Sequence, residues 1–333
     1  MKRMQNINRV GFTTSIPVEV LLAAGKVPVD LNNIFISSDD KSAYIDKAEQ
    51  DGFPRNLCAW IKGIYAAVKH GGIDEVVGVV QGDCSNALAL LEVLKEQGIN
   101  TYFFSYPYDK DEIFMKLSLS NLMEHYHVGI KKVMEQKARL DNIRKKVKKI
   151  DRMTYHDNLV TSFENHYFQV CASDFNSDPD AYELEVDEFI KDASKRKPIK
   201  QQLRIGYMGV PPIFPDLYDY IDSHDARVVY NEVQQQFAMP HNTKELHEQY
   251  LRFTYPYDVF GRVKVIKTEM KKRKLDGIIH YVQSFCFRQV EDLIIRRALD
   301  IPMILIEGDR PAPLDARTKL RIEVFLEMLK SRK

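Results

Sequence analysis

One pattern of strand, cysteine, helix and strand occurs twice in this chain. The first copy spans residues 76–105 and carries Cys84; the second spans 277–306 and carries Cys286, 202 positions later. In both copies the cysteine closes an apolar strand and opens a helical segment. Strands that alternate with helices in this way belong to parallel sheets. The repeat therefore predicts two parallel sheets, each with a cysteine at the carboxyl end of a strand.

A cysteine at this position is well placed to hold a ligand. Open parallel sheets bind their ligands at the carboxyl ends of strands, and the dipole at a helix amino terminus favours a thiolate. Cys58 has a similar position, because it falls in the first turn of a predicted helix for which Asn56 is a plausible N-cap. Each cysteine alone would more often be a small buried hydrophobe. Because three cysteines lie at helix openings, both a metal or cluster site and a packing role are possible for them.

The strand and helix rhythm also divides the chain into domains. It runs through residues 1–110, stops where charged segments with helical spacing occupy 111–198, and resumes over 199–333. We therefore predict two parallel-sheet α/β domains of the Rossmann or flavodoxin type, with a helical insertion or subdomain between them. At 333 residues and 44% hydrophobic composition, the chain is long enough for two separate cores.

Charge and hydropathy exclude several classes of partner. The chain has 48 basic and 47 acidic residues, a net charge of +1, so no global field favours nucleic acid or an anionic membrane. The basic run 145–149 is most simply a solvated helix face. No signal segment and no run of membrane-spanning length is present, so we expect a cytoplasmic protein. Its four scattered cysteines do not form a secreted disulfide framework.

The remaining candidate ligands have structural explanations. Cys171 lies in the helical region, where a packing thiol is favoured. His125 and His127 are two residues apart, which is not a helical metal spacing, and His280 inside an apolar strand is predicted to be a satisfied core histidine. Zinc is disfavoured because no suitably spaced Cys or His pair exists. The phosphate-binding motifs GxxxxGK[ST] and GxGxxG are both absent, so nucleotide binding by this chain has weak support.

Several segments carry a resemblance to a known family. They are GFTTSIPVE at 11–19 with AAG at 23–25 and PV at 28–29, PRNLC at 54–58, GDC at 82–84, SFC at 284–286, and the closing stretch 301–309 followed by a helix over 318–329. On these segments, and over nearly its whole length, the chain resembles the 2-hydroxyacyl-CoA dehydratase and benzoyl-CoA reductase family, D-component type. The PRNLC segment, which ends at Cys58, is most similar to relatives that carry a double-cubane cluster.

The resemblance implies that Cys58, Cys84 and Cys286 hold one [4Fe–4S] cluster per chain, between two α/β domains. Three thiolates leave one iron without a cysteine, and in the family that iron takes water, a small ligand or the thioester carbonyl oxygen of an acyl-CoA substrate. A low-potential electron then makes a ketyl radical, which permits anaerobic dehydration or ring reduction. The electron comes from a separate ATPase activator with its own [4Fe–4S] cluster. The family also implies a homologous subunit, in a homodimer or a heterodimer.

The chain departs from the family pattern at two places. Double-cubane relatives need three further cysteines, and the segment 230–234 has none, so a single cubane is expected. Many relatives have a cysteine before the serine that is Ser15 here; the kept serine is implied to hydrogen-bond the ligand of the open iron. Glu19 faces the same pocket or, alternatively, complements a helix dipole. The segment 231–240, with three glutamines, either lines a site or forms a surface loop.

Other functions stay open at this point. The chain is a catalytic subunit of a dehydratase or reductase, or a non-catalytic electron-relay or structural subunit. A third alternative is a cluster-bearing electron carrier or maturation factor that handles no CoA ester. The occupant of the fourth iron position separates these functions, because an exposed iron favours an enzyme and a filled site favours a relay.

Overall fold

The computed structural model of the chain describes residues 8–333, and these form two sheets of four parallel strands each. Helices alternate with the strands, so the predicted α/β class is confirmed. The strands are β1 (Arg9–Phe12), β2 (Val27–Asp30), β3 (Glu75–Gln81), β4 (Asn100–Ser105), β5 (Leu203–Met208), β6 (Ala226–Asn231), β7 (Gly277–Gln283) and β8 (Met303–Gly308). The helices are α1 (Val18–Ala23), α2 (Leu31–Ser37), α3 (Lys41–Gln50), α4 (Ala59–His70), α5 (Ser85–Glu96), α6 (Glu112–His125), α7 (Ile130–Tyr155), α8 (Ser162–Cys171), α9 (Pro179–Ala193), α10 (Leu217–Asp222), α11 (Glu232–Phe237), α12 (Leu246–Arg252), α13 (Val259–Arg273), α14 (Asp292–Ala298) and α15 (Ala316–Lys330).

The two sheets have the same strand order. It is β2-β1-β3-β4 in the first sheet and β6-β5-β7-β8 in the second. The first strand of each sheet therefore lies between its second and third strands, and the order reverses between β1 and β3 and between β5 and β7. Flavodoxin-like sheets bind ligands at the carboxyl end of such a reversal. The repeat seen in the sequence is thus a repeat of an entire flavodoxin-like sheet.

Contacts divide the chain into two compact units, each built on one sheet. The first unit comprises the chain up to Ile143 with Ser173–Tyr182 and His241–Tyr257. The second comprises Arg144–Ala172, Glu183–Pro240 and Asp258–Lys333, so α7 contributes residues to both. The segment 111–198 is helical, as expected. Its residues are shared by the two units, and its status as a separate subdomain stays a prediction.

A glycine in β3 sets how closely α5 packs on the first sheet. A Cβ at Gly78 would come within 2.2 Å of the side chain of Leu91, which belongs to α5. Both β3 and the inner face of α5 are buried, with Val77 and Leu91 each at 0% exposure. Only glycine permits this close contact between helix and strand. The contact fixes the helix that begins directly after Cys84.

A buried ion pair ties helices of the second unit together. Arg273, at the end of α13, donates from Nη1 and Nη2 to the two carboxylate oxygens of Asp151 in α7, at 2.8 and 2.5 Å. Its Nη1 also donates to the carbonyl oxygen of Val229 in β6 at 2.6 Å. Burial favours the neutral acid, but the charge and hydrogen bonds of Arg273 outweigh it and lower the pKa of Asp151. Removing Arg273 would leave the buried carboxylate of Asp151 without its ion-pair partner, whereas Arg273 without Asp151 would retain its pair with Glu269 at 2.5 Å.

Two predictions about charged side chains are confirmed. His280 is a satisfied core histidine, because it is 2% exposed and its Nδ1 lies 2.7 Å from Oδ1 of Asp292. Lys145, Lys148 and Lys149 lie on an exposed face of α7.

None of the helices within residues 8–333 has both the length and the apolar character needed to cross a membrane.

Two aspartates form a buried acid pair in the first unit. Asp30 caps α2 by accepting from the backbone N–H of Asn32, and it also accepts from the hydroxyl of Ser173 at 2.7 Å. Asp174 accepts from the backbone N–H of Asp30 at 2.8 Å. Burial and then the charge of Asp30 raise the pKa of Asp174 to about 7 from an ordinary value of 3.8. The pKa of Asp30 is also raised, by its burial.

We expect this pair to make the stability of the chain depend on pH. A carboxyl whose pKa is raised by folding favours the folded state below its unfolded pKa, and this contribution is lost as pH rises through the folded pKa of about 7. We expect Asp30→Asn to lower the pKa of Asp174, because it removes the like charge and keeps an N-cap. The loss of unfolding free energy between about pH 5 and about pH 8 should shrink by about 1 to 2 kcal/mol. Urea unfolding at both pH values measures it.

The matched control is Asp39→Asn, which changes an exposed aspartate of the same unit. It should retain the pH dependence of the wild-type chain. An Asp30→Asn chain with the same pH dependence as Asp39→Asn would contradict the assignment of this effect to the buried pair.

Candidate functional site

Each of the three candidate cysteines occupies an N-cap position. Cys58 caps α4, Cys84 caps α5, and Cys286 caps a 3₁₀ turn at Phe287–Gln289. N-cap side chains usually accept a hydrogen bond from the helix, yet none of these three side chains does so. The sulfur atoms are therefore placed at helix openings.

The structure corrects the predicted start of α4. Asn56 was expected to be its N-cap, but the helix begins at Ala59 with Cys58 as the cap. Residues 54–57 form a turn instead, in which the N–H of Leu57 donates to the carbonyl oxygen of Pro54 at 3.2 Å. An asparagine that follows a proline by two residues suits a turn as well as a cap.

The environment of Cys84 opposes ionisation of its thiol. Burial raises the pKa of Cys84 to about 12, and the negative charge of Asp83 adds to the effect. The charge of Cys58 acts in the same direction, which shows that these two cysteines of the first unit interact. The backbone N–H groups of Ala87 and Asn86 at the helix opening do lower the pKa of Cys84, but burial outweighs them. A bound metal deprotonates a coordinating thiol outright, and only such a cation would offset the burial.

The segments before Cys84 and Cys286 have left-handed backbone. Gly82 has φ +104°, and a Cβ there would come within 2.7 Å of the Cβ of Pro256, so the turn requires glycine. In the second unit, Phe285 has φ +63° although it is not a glycine. This conformation is strained for a bulky residue, and such strain concentrates at functional sites.

Hydrogen bonds fix the loop that carries Cys286. Its N–H donates to the carbonyl oxygen of Gln283 at 3.1 Å, and Nε2 of Gln289 donates to the same oxygen at 2.7 Å. The N–H of Ser284 bonds Gly308 at the end of β8 at 2.8 Å. Cys286 thus follows β7 in a loop whose backbone is held at both ends.

The loop that follows β1 is rigid, but one hydroxyl in it has no partner. The carbonyl oxygen of Ser15 accepts from the hydroxyl of Tyr106 at 2.7 Å, and that of Ile16 accepts from Tyr250 at 3.0 Å. Oγ1 of Thr13 accepts from the N–H of Val79 in β3 at 3.2 Å. Ser15 is 3% exposed, and its Oγ has no hydrogen-bond partner among residues 8–333. A buried hydroxyl without a partner is costly, which points to a missing ligand.

Glu19 does not face solvent at the start of α1. It is fully buried, its Oε1 accepts from Nε2 of Gln249 at 2.9 Å, and its Oε2 accepts from the hydroxyl of Tyr250 at 2.7 Å. Both donors belong to α12. The carboxylate therefore joins α1 to α12, and Tyr250 connects it to the backbone of the Ser15 loop.

The glutamine-rich segment after β6 is a buried helix rather than a surface loop. Gln234 in α11 is fully buried, and neither Oε1 nor Nε2 has a partner within the described part of the chain. Oδ1 of Asn231 accepts from the hydroxyl of Tyr218 at 2.9 Å, while its Nδ2 has no acceptor there. The sequence pointed to the segment 231–240 as a possible site lining, but not to these two amides in particular. The available sequence signal was a cluster of polar residues directly after an apolar strand. Such a cluster is unusual only when it is buried, and its burial is known only from the structure.

The four cysteines are all free of disulfides. Cys58 and Cys84 belong to the first unit and Cys286 to the second, while Cys171 is buried at the end of α8. Within residues 8–333 there is no group of three or more His, Cys, Asp or Glu side chains that could hold a metal ion. The donor set still fits an iron–sulfur cluster in its chemistry, since cluster ligands are thiolates, and the buried hydroxyl of Ser15 without a partner also suits a ligand.

Comparison with known proteins places this geometry in a family. A model of the 2-hydroxyglutaryl-CoA dehydratase D-component matches residues 13–329. The match includes Ser15, Glu19 and the three N-cap cysteines. No curated protein matches the chain. Because the matched region covers nearly the entire length, the chain belongs to the 2-hydroxyglutaryl-CoA dehydratase D-component family, whose members are components of a dehydratase enzyme.

Proposed function

We propose that this protein is a cytoplasmic iron–sulfur subunit of the 2-hydroxyacyl-CoA dehydratase and benzoyl-CoA reductase type, acting anaerobically on an acyl-CoA thioester. One observation carries the proposal: three cysteines occupy N-cap positions, in a chain whose family is that of a dehydratase component. The reaction is a low-potential reduction or radical dehydration. Its electron comes from a separate ATPase activator that has its own cluster, and a homologous subunit completes the enzyme.

The proposed ligands of one [4Fe–4S] cluster are Cys58, Cys84 and Cys286. Their N-cap positions support this assignment, because backbone N–H groups and the helix dipole favour an anionic cluster at a helix amino terminus. When bound, the cluster would supply a Lewis-acidic iron without a cysteine ligand and a low-potential electron. Cys84 would give up its proton on binding, since its buried thiol is otherwise neutral.

Ser15 is the proposed donor to the ligand of the open iron. Its hydroxyl is buried without a partner, and its loop is held by Tyr106 and Tyr250 through backbone carbonyls. A donor fixed in this way costs no reorganisation when a ligand arrives. Its role would be to orient the oxygen of water or of a thioester carbonyl.

Glu19 is the second catalytic candidate. Its carboxylate is the strongest proton acceptor bonded to Tyr250, and the same hydroxyl contacts the carbonyl oxygen of Ile16, next to Ser15. A substitution at Glu19 would therefore remove a base and also loosen the Ser15 loop. Glu19→Gln separates these effects, because the amide retains the shape of the side chain and one acceptor.

Cluster binding is tested by metal analysis of anaerobically reconstituted protein. We expect about four iron and about four sulfide per chain, with a brown colour that Cys84→Ala loses. The matched control is Cys171→Ala, which removes a buried thiol outside the proposed ligand set and should keep the iron.

A colourless chain that contains one zinc would contradict the cluster assignment. So would retention of full iron in Cys84→Ala. An added 2-hydroxyacyl-CoA ester should change the spectrum of the reduced cluster. No response to any thioester would favour the electron-relay or maturation function over catalysis.

Two neighbouring hydroxyls provide a test of the role of Ser15. Thr13→Val removes a hydroxyl that accepts from Val79, and we expect the unfolding free energy to fall by about 1 to 2 kcal/mol. Ser15→Ala removes a buried hydroxyl without a partner, so the unfolding free energy should not fall and should rise by up to about 1 kcal/mol. The Ser15→Ala cluster should nevertheless respond more weakly to the thioester. Equal destabilisation by the two substitutions, measured by urea unfolding, would show that Ser15 is structural.

A further inference from the structure

A buried arginine of α13 contacts two carboxylates in the second unit. Arg262 is 1% exposed, and its Nε and Nη2 donate to the two carboxylate oxygens of Glu232 at 2.8 and 3.0 Å. Its Nη1 donates to Oε2 of Glu291. Burial raises the pKa of Glu232, but the charge and hydrogen bonds of Arg262 outweigh it, so the pKa is lowered. One buried guanidinium therefore joins both acids.

These two carboxylates belong to segments that follow neighbouring strands. Glu232 begins α11 directly after β6, and its Oε2 also accepts from the N–H of Gly209, directly after β5, at 3.3 Å. Glu291 ends the segment 284–291, which connects β7 to α14 and which we call the Cys286 turn. Strand β5 lies between β6 and β7 in the second sheet. Arg262 therefore ties together the segments that leave three adjacent strands at their carboxyl ends.

Arg288 extends these ion pairs into the middle of the Cys286 turn. It lies two residues after Cys286, in the 3₁₀ turn that Cys286 caps, and it is 7% exposed. Its Nη1 lies 3.3 Å from each carboxylate oxygen of Glu291 and donates to them. The N–H of Glu291 also donates to the carbonyl oxygen of Arg288 at 3.1 Å. A continuous chain of ion pairs thus runs from the opening of α11, through Arg262, to the segment that carries Cys286.

The Cys286 turn needs such support because its backbone is strained. Phe285 has φ +63° although it is not a glycine. Strained backbone persists only where the surrounding structure over-determines it. Hydrogen bonds to the carbonyl oxygen of Gln283 hold the start of the turn, while Arg262 holds its end through Glu291. The thiol of Cys286 lies between these two points of the chain.

We propose that Arg262 is a positioning residue for Cys286, acting through Glu291 at the end of the Cys286 turn. The importance of that position rests on the proposed function, in which Cys286 is the third thiolate ligand of the cluster and one defined iron stays open. The restraint on the turn, however, belongs to the chain without iron. Loss of Arg262 should therefore loosen the Cys286 turn and leave Cys58 and Cys84, in the first unit, as they are.

The reactivity of the three thiols with iodoacetamide measures this restraint in the full iron-free chain. Cys286 is partly exposed, and a thiol on a restrained turn reacts faster when the turn opens. We expect Arg262→Gln to raise the rate of Cys286 alkylation about tenfold, with Cys58 and Cys84 within about twofold of their wild-type rates. Mass spectrometry of the alkylated peptides gives each rate separately.

A second variant tests the same chain of ion pairs more gently. Glu291→Gln keeps an acceptor for Arg262 and removes only the charge, and it should raise the Cys286 rate about threefold or more. Because both substitutions interrupt one chain, the double variant should stay within about twofold of Arg262→Gln. The matched control is Arg321→Gln, which changes an exposed arginine of α15 and should leave all three rates unchanged.

An unchanged Cys286 rate in Glu291→Gln would overturn the proposal, and so would equal acceleration at all three cysteines in that variant. Rate increases that multiply in the double variant would also overturn it. Circular dichroism checks folding, and if Arg262→Gln does not fold, Glu291→Gln carries the test alone.

The reconstituted protein separates this proposal from the proposed function. Arg262→Gln should lose iron to a chelator faster than the wild-type chain, because one of its thiolate ligands is less firmly held. A wild-type chain that binds no iron would contradict the proposed function, whereas the alkylation rates of the iron-free chain would still decide the role of Arg262.

Discussion

The reversal of strand order between β1 and β3 is the constraint on which the candidate site depends. Because β1 lies between β2 and β3, the loops after β1 and β3 leave neighbouring strands at the carboxyl edge of the sheet. One loop carries Ser15 and the other carries Cys84. The second sheet repeats the same order, and Cys286 follows β7 as Cys84 follows β3. Topology therefore accounts for the equivalent positions of the two cysteines.

Packing and hydrogen bonds then fix the positions of the loops that carry Ser15 and Cys84. Close contact between Gly78 and Leu91 fixes α5, and hydrogen bonds from Tyr106 and Tyr250 fix the backbone of the Ser15 loop. The hydrogen bonds that hold this loop thus join tyrosine hydroxyls to backbone carbonyl oxygens, while the Ser15 hydroxyl has no partner among the described residues. Burial of Cys84 makes its free thiol neutral, so the site is suited to a thiol that is ionised only by a bound metal.

The fold and the cysteine positions could be predicted because strand and helix periodicity are local properties of the sequence. Predictions from local sequence rules failed where a competing turn or the burial of a side chain decides the structure. Asn56 has a good capping side chain, but a turn after Pro54 delays α4 until Cys58 becomes the cap. The helix dipole favours a thiolate at Cys84, but desolvation of the buried sulfur raises its pKa more, and desolvation depends on tertiary packing. The sequence left open whether the segment 231–240 lines a site or forms a surface loop, and only the structure gives the burial of Gln234.

Mössbauer spectroscopy of the reconstituted chain tests most directly whether three cysteines leave one iron open. The proposed ligand set predicts two iron environments in a ratio of about three to one, with only the minority signal shifting when a 2-hydroxyacyl-CoA ester is added. A single iron environment that does not respond to the ester would contradict an open iron site. Absence of bound iron after anaerobic reconstitution would contradict the cluster itself.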